Sequence, residues 1–410
     1  MNTYPKYKDS GEQWLGQIPA HWEMKRLAAC FAKRSENWKR GETLELLSLL
    51  KDVGIVPYSE KGNIGNTAKT DFSQYKVARK GDLVINSMNV IIGSLGITPM
   101  DGYISPAYYA FAPREGVNTR YYNYILSLRR AQQNIRRFSK GIMEIRLKIS
   151  ANDFLSIQYP VPPSEEQTAM VAYLDEQTET LDQAIAREQK MIDLLEERKQ
   201  IIIQQAVTKG LNPNAPMKDS GIDWIGEIPE HWDSRRMRFL CSITTGNKDT
   251  INRVDDGIYP FYVRSPKVER INTYSYDGEA VLMAGDGVGA GKVFHYVNGK
   301  FDFHQRVYCF YNIVEIEPRL LYYYMKSLFK HVIEQLSAKS TVDSVRLNMI
   351  QDFIVAFPEK KEQQDIVAYL DDRLISIDKA IAAKNRVITL LQERKQIIIN
   401  EVVTGKIKVL

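Results

Sequence analysis

The segment with the clearest potential for chemistry is the glycine-rich stretch AGDGVGAGKVFHY at residues 284–296. Glycines that end in a lysine can cradle phosphate when a helix follows the loop. Here Val293, rather than Ser or Thr, follows Lys292, and Asp286 stands five residues before Gly291 where the phosphate-loop motif has glycine. The residues that follow have the pattern of a strand. The segment therefore predicts a glycine-rich hairpin or loop that can approach another backbone or a nucleic acid closely.

Metal chemistry requires histidine, cysteine and carboxylate side chains at characteristic spacings. The sequence contains no HExxH segment and no CxxC pair, and its odd number of cysteines argues against a disulfide framework. We therefore predict no metal site, and cysteines that serve as core thiols. The residues concerned are His21, His231, His295, His304 and His331, together with Cys30, Cys241 and Cys309.

Catalysis by the chain itself is also not indicated. An adenine methyltransferase would need an acidic or Asn-Pro-Pro-aromatic tetrapeptide and a loop for its cofactor, and the segment YPVPPSEEQ at residues 159–167 does not have that form. The sequence therefore predicts that the chain is not an enzyme.

Length and hydropathy bound the class of protein. The 410 residues allow two or three domains with cores of their own. No stretch approaches the roughly 18 to 20 apolar residues of a membrane span, and the first residues lack the apolar core of a signal peptide. We therefore expect a cytoplasmic protein that does not act at a membrane.

Charge is distributed unevenly along the chain. Residues 23–160 contain 21 Lys and Arg against 12 Asp and Glu, whereas residues 161–207 contain 4 against 10. A basic segment favours a polyanionic partner such as a nucleic acid. Ordinary solvated surface charge explains the same excess, so charge alone leaves both interpretations open.

The strongest pattern is an internal repeat. KDSGEQWLGQIPAHW at residues 8–22 returns 210 residues later as KDSGIDWIGEIPEHW, with 10 of 15 positions identical. The 45 residues that begin at Glu166 return 196 residues later, from Glu362, with 23 identities. The chain is therefore internally duplicated.

The repeated 45-residue segments predict two long helices. Mostly apolar residues recur at alternating steps of four and three over residues 174–206 and again over 370–402, which is the pattern of a coiled-coil seam. Ser164 with Gln167 three residues later has the form of a capping box and indicates the start of the first helix. Two such helices in one duplicated chain are expected to pair antiparallel.

Between the repeats lie two segments that resemble each other only weakly. Both mix short β-rich runs, such as DLVIN and AVLMAGDG, with helical stretches, so each predicts a globular domain of mixed α/β structure. The predicted order is a globular domain at 1–160, a long helix at 161–210, a second globular domain at 211–358 and a second long helix at 359–410. We call the two globular domains the first head and the second head.

This order of parts resembles the specificity (S) subunit of type I restriction–modification enzymes. The resemblance covers nearly the whole chain, and it is carried by DSGxxWxGxIPxHW at the start of each half and by PPSEEQ, YLD, ERKQIII and VTKG towards its end. Within the heads, residues 81–111 and 285–310 are similar to recurrent motifs of the target-recognition domains of that family.

The resemblance implies a DNA-binding protein without catalytic activity. Each head would recognise one half of a bipartite, asymmetric site in double-stranded DNA, and the paired helices would act as a spacer that binds two modification (M) subunits. Those subunits would use S-adenosylmethionine to methylate adenine at N6, and restriction (R) subunits would use ATP and Mg²⁺ to cleave DNA. This chain itself would hold no cofactor.

Candidate DNA contacts follow from side-chain chemistry. Lys and Arg are expected to contact phosphates, while a few polar side chains on loops read base edges. Surface charges and capping groups look the same in a sequence, so each candidate could instead be structural. The candidates are Lys33, Arg34, Asn86, Ser87 and Asn89 in the first head, and Arg264, Ser265, Lys292, Gln305 and Arg306 in the second.

Two further sets of residues are expected to organise the molecule. The tryptophans of the repeated motif should anchor each head on a helix rather than contact DNA. Helix residues that are identical in both halves and lie outside the seam are candidates for binding the M subunits, although shared packing would also explain their identity. The sets are Trp14, Trp22, Trp224 and Trp232, and Glu197, Arg198, Gln200, Glu393, Arg394 and Gln396.

Other classes of protein explain less of the sequence. A fused methyltransferase would need the missing cofactor and catalytic motifs, and a dimeric repressor would need a helix-turn-helix pattern that the sequence does not have. A coiled-coil scaffold that binds no DNA is the main alternative. It explains the helices but not two different heads placed between repeated segments.

Overall fold

The computed structural model describes residues 3–39, 43–51, 53–63, 73–141, 147–222, 224–337 and 344–409. The chain divides into two compact units. Unit 1 comprises residues 1–188 and 386–410, and unit 2 comprises residues 189–385. Each unit therefore contains one head together with a part of each long helix.

Nine helices lie in the described ranges, numbered in chain order. They are α1 (Leu27–Cys30), α2 (Thr119–Ser127), α3 (Arg129–Arg137), α4 (Ala151–Ser156), α5 (Ser164–Lys209), α6 (Met237–Leu240), α7 (Pro318–Ser337), α8 (Leu347–Gln351) and α9 (Lys360–Val403).

Most strands of the same ranges are short, and only β19 and β20 exceed six residues. They are β1 (Tyr7–Asp9), β2 (Gln17–Pro19), β3 (Glu23–Arg26), β4 (Phe31–Lys33), β5 (Glu45–Leu50), β6 (Gly54–Pro57), β7 (Lys76–Ala78), β8 (Leu83–Asn86), β9 (Leu95–Ile97), β10 (Gly102–Ile104), β11 (Tyr108–Pro113), β12 (Gln158–Val161), β13 (Met217–Asp219), β14 (Glu227–Pro229), β15 (Asp233–Arg236), β16 (Ser242–Thr245), β17 (Tyr259–Tyr262), β18 (Glu269–Ile271), β19 (Tyr276–Ala284), β20 (Phe294–Phe303), β21 (Val307–Tyr311) and β22 (Ile354–Phe357).

Unit 1 contains two four-stranded sheets. Their strand orders are β6-β5-β10-β7, in which β5 and β10 are parallel, and β4-β11-β8-β9, which is antiparallel throughout. All four residues of β8 are buried. One core joins the second sheet to α2 and to the long helices, because it includes Phe111, Tyr122, Leu174 and Val402.

Unit 2 contains one six-stranded sheet in the order β16-β21-β19-β20-β17-β18. Its pairs are antiparallel except for β17 with β20. The last five residues of β19, from 280 to 284, are all buried. The predicted β-rich runs of the second head are thus strands of a single sheet.

Both heads are closed in the same way. The repeated motif forms a small hairpin, β1 with β2 in unit 1 and β13 with β14 in unit 2. The strand that enters each head pairs antiparallel with the strand that leaves it for the long helix, β3 with β12 and β15 with β22. The duplication is therefore visible in the backbone pairing as well as in the sequence.

The long helices confirm the predicted seam. All ten positions from 174 to 206, and all ten copies from 370 to 402, are buried or half-buried. In unit 1 the Lys395 Nζ atom donates to Asp182 at 2.7 Å, and in unit 2 the Lys199 Nζ atom donates to Asp378 at 2.5 Å. Because the residue numbers rise along one helix and fall along the other, the pairing is antiparallel, as predicted.

The start of α5 differs from the predicted capping box. The helix begins at Ser164, but the Gln167 side chain donates to the carbonyl oxygen of Pro162 at 2.8 Å and accepts from the backbone N–H of Asn118 at 2.9 Å. Gln363 at the start of α9 donates likewise to Pro358 at 2.9 Å and accepts from Glu317 at 2.6 Å. The glutamine is therefore used to fix the head to the helix.

Candidate functional site

A cluster around a helix-start glutamate explains the repeated motif. Glu166, in the first turn of α5, accepts hydrogen bonds from Tyr4 Oη and Trp22 Nε1, both at 2.9 Å, and its other oxygen lies 2.5 Å from His21 Nε2. Burial acts to raise the pKa of Glu166, but the hydrogen bonds from Trp22, His21 and Tyr4 lower it below the usual range. Glu166 is therefore an anion, and its two oxygens are well suited to accept the hydrogen bonds that hold the repeated motif.

The second copy repeats the cluster. Glu362, near the start of α9, accepts from Trp232 Nε1 at 3.2 Å and lies 2.7 Å from His231 Nε2. Both tryptophans are almost completely buried. A Cβ atom added at Gly405 would lie 2.8 Å from Trp22, and one added at Gly210 would lie 3.3 Å from Trp232. Each tryptophan thus packs where one long helix starts and the other ends, which confirms the anchoring role.

A second anchor joins each head to a long helix through an aspartate of the repeated YLD segment. Tyr124 Oη and Arg120 Nη2 donate to Asp175 at 2.8 and 2.7 Å in unit 1. In unit 2, Tyr323 Oη donates to Asp371 at 2.5 Å and Arg319 Nε lies 2.9 Å from it. The sequence shows the repeated aspartates but not their partners, since the heads differ.

The candidates of the first head fall into two groups. Arg34 donates to Asp82 through Nε at 2.5 Å and through Nη2 at 2.8 Å, and to Glu36 through Nη1 at 2.7 Å. Asn86 is buried and its Oδ1 atom accepts from the backbone N–H of Met88 at 3.0 Å, while Ser87 is also buried. Asn86 and Ser87 thus lie buried at the end of β8 and at the start of the turn after it, Arg34 is held by two carboxylates, and Lys33 and Asn89 are exposed. A contact of any of the five with DNA stays a prediction.

A basic group next to Lys33 was not predicted from the sequence. The Nζ atom of Lys76 donates to the carbonyl oxygens of Pro106 and Tyr108 at 2.5 and 2.6 Å and lies 4.6 Å from the ring centre of Tyr109. Lys33 Nζ lies 5.7 Å from the same ring. Burial, together with the positive charges of Lys33 and Lys148, lowers the pKa of Lys76 to about 8. The first head therefore concentrates positive charge around Tyr109.

Replacing Lys76 by methionine is expected to change how the stability of unit 1 depends on pH. An unfolded lysine titrates near pH 10.4, so between about pH 8 and pH 10 the unfolded chain binds a proton that the folded chain has released. The free energy of unfolding of the wild type should therefore rise with pH in this window relative to K76M. Chemical unfolding followed by circular dichroism across the window measures the difference, and parallel pH profiles would contradict it.

Two candidates of the second head, Arg264 and Arg306, bind a carboxylate that was not predicted as a site residue. Arg264 Nη1 donates to Asp286 Oδ1 at 3.0 Å, and Arg306 Nη1 donates to Asp286 Oδ2 at 2.6 Å. Burial acts to raise the pKa of Asp286, but hydrogen bonds from Arg306 and Arg264 lower it. Asp286 is therefore an anion that holds two cations, and the spacing in sequence gave no signal for this.

The other three candidates of the second head lie near the same loops. Gln305 Nε2 donates to Asp249 at 2.8 Å, Ser265 Oγ donates to the carbonyl oxygen of Lys267 at 3.1 Å, and Lys292 is exposed. Their contact with DNA also stays a prediction.

The candidates for binding the M subunits are all exposed on the long helices, outside the seam: Glu197, Arg198, Gln200, Glu393, Arg394 and Gln396. An apolar stripe that sequence analysis missed lies next to them. It consists of Met191, Leu194 and Ile201 in unit 2 and of the corresponding Val387, Leu390 and Ile397 in unit 1, with side chains 40 to 55% exposed. Arg198 and Arg394 fall at helical spacing within it.

The described part of the chain offers no centre for metal chemistry and no membrane span. Among those residues, no group of three or more His, Cys, Asp and Glu side chains could hold a metal ion. Within the same residues, no helix is both long and apolar enough to cross a bilayer.

The chain thus consists of two different heads, each attached to the paired long helices by equivalent anchors. This is the architecture of a duplicated binding protein. A family model for the type I restriction modification DNA specificity domain matches residues 19–196 and 229–389. The chain therefore belongs to the family of type I restriction–modification specificity proteins, and its role is the recognition of DNA.

Individual relatives agree with this assignment. The chain is 29% identical over 182 residues to the specificity subunit of the type I restriction enzyme EcoDI from Escherichia coli, a match that covers 44% of this chain and 40% of that relative. It is 25% identical over 313 residues, 70% of each protein, to the MjaVIII specificity subunit from Methanocaldococcus jannaschii. Nothing in these matches favours a scaffold that binds no DNA.

The fold is shared with a solved protein. A chain determined in a study of the assembly and conformational transition of the type I R-M system superposes with a TM-score of 0.71. The two chains are 18% identical, and the match covers 95% of this chain and 99% of the other.

Proposed function

We propose that this chain is the specificity subunit of a complete type I system, in which each head recognises one half of a bipartite, asymmetric site in double-stranded DNA. The observation that supports this most directly is the contrast between anchors and heads. Glu166 and Glu362 hold the repeated motif in the same way, yet the end of β8 and the turn after it carry Asn86 and Asn89, whereas the loop after β19 carries Asp286, which binds arginines from two other loops. Equivalent supports with different loops suit the recognition of two different half-sites.

The long helices are proposed to set the spacing of the half-sites and to bind two M subunits. Helix α5 contains 46 residues and α9 contains 44. Each unit presents one copy of the apolar stripe, together with one copy of the exposed Glu, Arg and Gln side chains. Exposed apolar side chains that recur at matching positions are suited to bind two copies of one partner.

The cofactors of the system are proposed to lie on the partners. S-adenosylmethionine would bind the M subunits, which methylate adenine at N6, and ATP and Mg²⁺ would bind R subunits that cleave unmethylated DNA. The heads of this chain would contribute affinity through Lys and Arg at phosphates and specificity through loop side chains at base edges.

The experiment that tests this function is to co-express the chain with the methyltransferase subunit encoded beside it, in a host that lacks adenine methylation. Modified adenines are then mapped across the genome by single-molecule sequencing, with and without this chain. A bipartite, asymmetric motif with a fixed spacer, which disappears when the chain is omitted, is the expected result. Methylation by a subunit shown to be active, unchanged without this chain, would overturn the proposal.

A further inference from the structure

The Asp286 cluster of the second head, which consists of Asp286, Arg264 and Arg306, has a defined geometry. The Asp286 side chain is 12% exposed, whereas the two arginine side chains that bind it are 44% and 61% exposed. Each guanidinium donates through Nη1 to a different oxygen of the carboxylate, and among the described residues the Nε and Nη2 atoms of both have no partner. The carboxylate is thus covered while two oriented guanidinium edges face solvent.

The loop that carries Asp286 is closed by hydrogen bonds and packed against the backbone of Arg264. Its ends are joined by hydrogen bonds between Ala284 and Gly291 at 2.9 Å and between Ala284 and Val293 at 3.0 Å. Gly289 packs so closely on the Arg264 backbone that an added Cβ atom would lie 2.4 Å from the Arg264 carbonyl oxygen. The loop that carries Asp286 therefore packs directly against the backbone of the loop after β17 that carries Arg264, and the guanidinium is placed by the backbone as well as by the carboxylate.

Stability alone is a weak explanation for this cluster. Ion pairs with exposed arginines contribute little to folding, because water screens them and the long side chains lose conformational entropy. Binding to phosphate is also not what the cluster is best suited for, since the carboxylate cancels one of its two positive charges. What the carboxylate does provide is orientation, which a directional contact with a base edge requires and a phosphate contact does not.

We propose that Arg264 and Arg306, held by Asp286, read guanine in the major groove, so that the half-site recognised by the second head contains at least one guanine. This inference rests on the proposed function. Guanine presents two acceptors, O6 and N7, on its major-groove edge, and a guanidinium matches them with two parallel N–H donors. Asp286 is a positioning residue in this arrangement, because it acts only through the two arginines.

Among the described residues of the first head, the candidate arginine is bound differently. Arg34, the candidate arginine of that head, donates through Nε, Nη1 and Nη2 to Asp82 and Glu36. The inference therefore concerns the half-site of the second head alone.

The test uses the complex of the full chain with its M subunits and duplexes that contain the methylated motif of the wild type. Each guanine of each half-site is replaced in turn by 7-deazaguanine, which loses the N7 acceptor but keeps Watson–Crick pairing. Binding is measured for the wild type, for R264K and R306K, which keep the charge, and for D286N. Arg236→Lys is the matched control, since Arg236 lies in the same head on β15 and bonds Asp352 at 3.3 Å.

The expected result is a loss of roughly 5- to 100-fold in wild-type affinity for at least one 7-deazaguanine duplex of one half-site. R264K or R306K should bind the unmodified duplex more weakly by a similar factor and should no longer distinguish the modified one. D286N should reduce the discrimination while the other half-site and the control variant stay unchanged. Thermal unfolding of each variant identifies any that fail to fold, and the wild-type comparison does not depend on them.

Two outcomes would overturn the inference while leaving the proposed function intact. One is a bipartite motif whose second half-site contains no guanine, or whose guanines can all be replaced by 7-deazaguanine without loss of wild-type binding. The other is an equal loss of affinity for all duplexes in the arginine variants, which indicates phosphate contacts. Failure of the wild-type complex to prefer any sequence would instead refute the proposed function itself.

Discussion

Replacing Trp22 by alanine is expected to lower the free energy of unfolding of unit 1 by about 3 to 5 kcal/mol. Trp22 is completely buried, and its indole packs between Glu166 at the start of α5 and Gly405 just beyond the end of α9. The substitution removes this packing, leaves a cavity that the surrounding helix ends cannot fill, and takes away a hydrogen bond to a partly buried carboxylate. Urea unfolding followed by far-ultraviolet circular dichroism measures the change.

Conservative and matched variants show whether the anchor is the cause. Trp22→Phe keeps an aromatic ring but loses the Nε1–H donor, so it should cost less than alanine. Trp232→Ala, at the corresponding position, should destabilise unit 2 in the same way, because Trp232 packs against Gly210 and bonds Glu362. A cost below about 1 kcal/mol for both alanine variants would contradict the anchoring role, since that is the range of an ordinary surface substitution.

The architecture could be predicted because it depends on periodicity and repetition. Mostly apolar residues at steps of three and four predict a helix wherever they occur in a chain, and the duplicated segments indicated that both long helices have the same seam. The buried or half-buried state of every seam position, including Lys199 and Lys395, follows from that pattern. Antiparallel pairing followed from the duplication, and the two Lys–Asp contacts confirm it.

The chemistry of the heads could not be predicted in the same way. The aspartates that bind Arg34 and Arg264 lie 48 and 22 residues away along the chain, and only the folded heads bring these side chains together. Arg34 and Arg264 look alike in the sequence, although Arg34 uses every donor nitrogen within its head and Arg264 leaves Nε and Nη2 free among the described residues. Side-chain type gives the possible contacts, and long-range packing decides which of them remain available.

Placing glutamate at both Leu194 and Leu390 is expected to prevent the chain from binding its M subunits. The two side chains are 49% and 55% exposed and lie at corresponding positions of the apolar stripe in unit 2 and unit 1. A carboxylate buried in an apolar interface without a partner is strongly unfavourable, and loss of a central contact typically weakens binding by about 2 kcal/mol or more. Co-purification followed by light scattering measures how many M subunits remain bound.

The single variants make this prediction sharper, because the two copies are proposed to bind one partner each. L194E or L390E alone should leave complexes with one M subunit, whereas the double variant should leave none. Val314→Glu is the matched control, since Val314 is 52% exposed on a loop of unit 2 and the substitution adds the same charge elsewhere. Full M-subunit binding by a folded double variant would exclude the stripe as the docking surface. A single variant that loses both subunits would show that they bind cooperatively rather than through two independent copies of one surface.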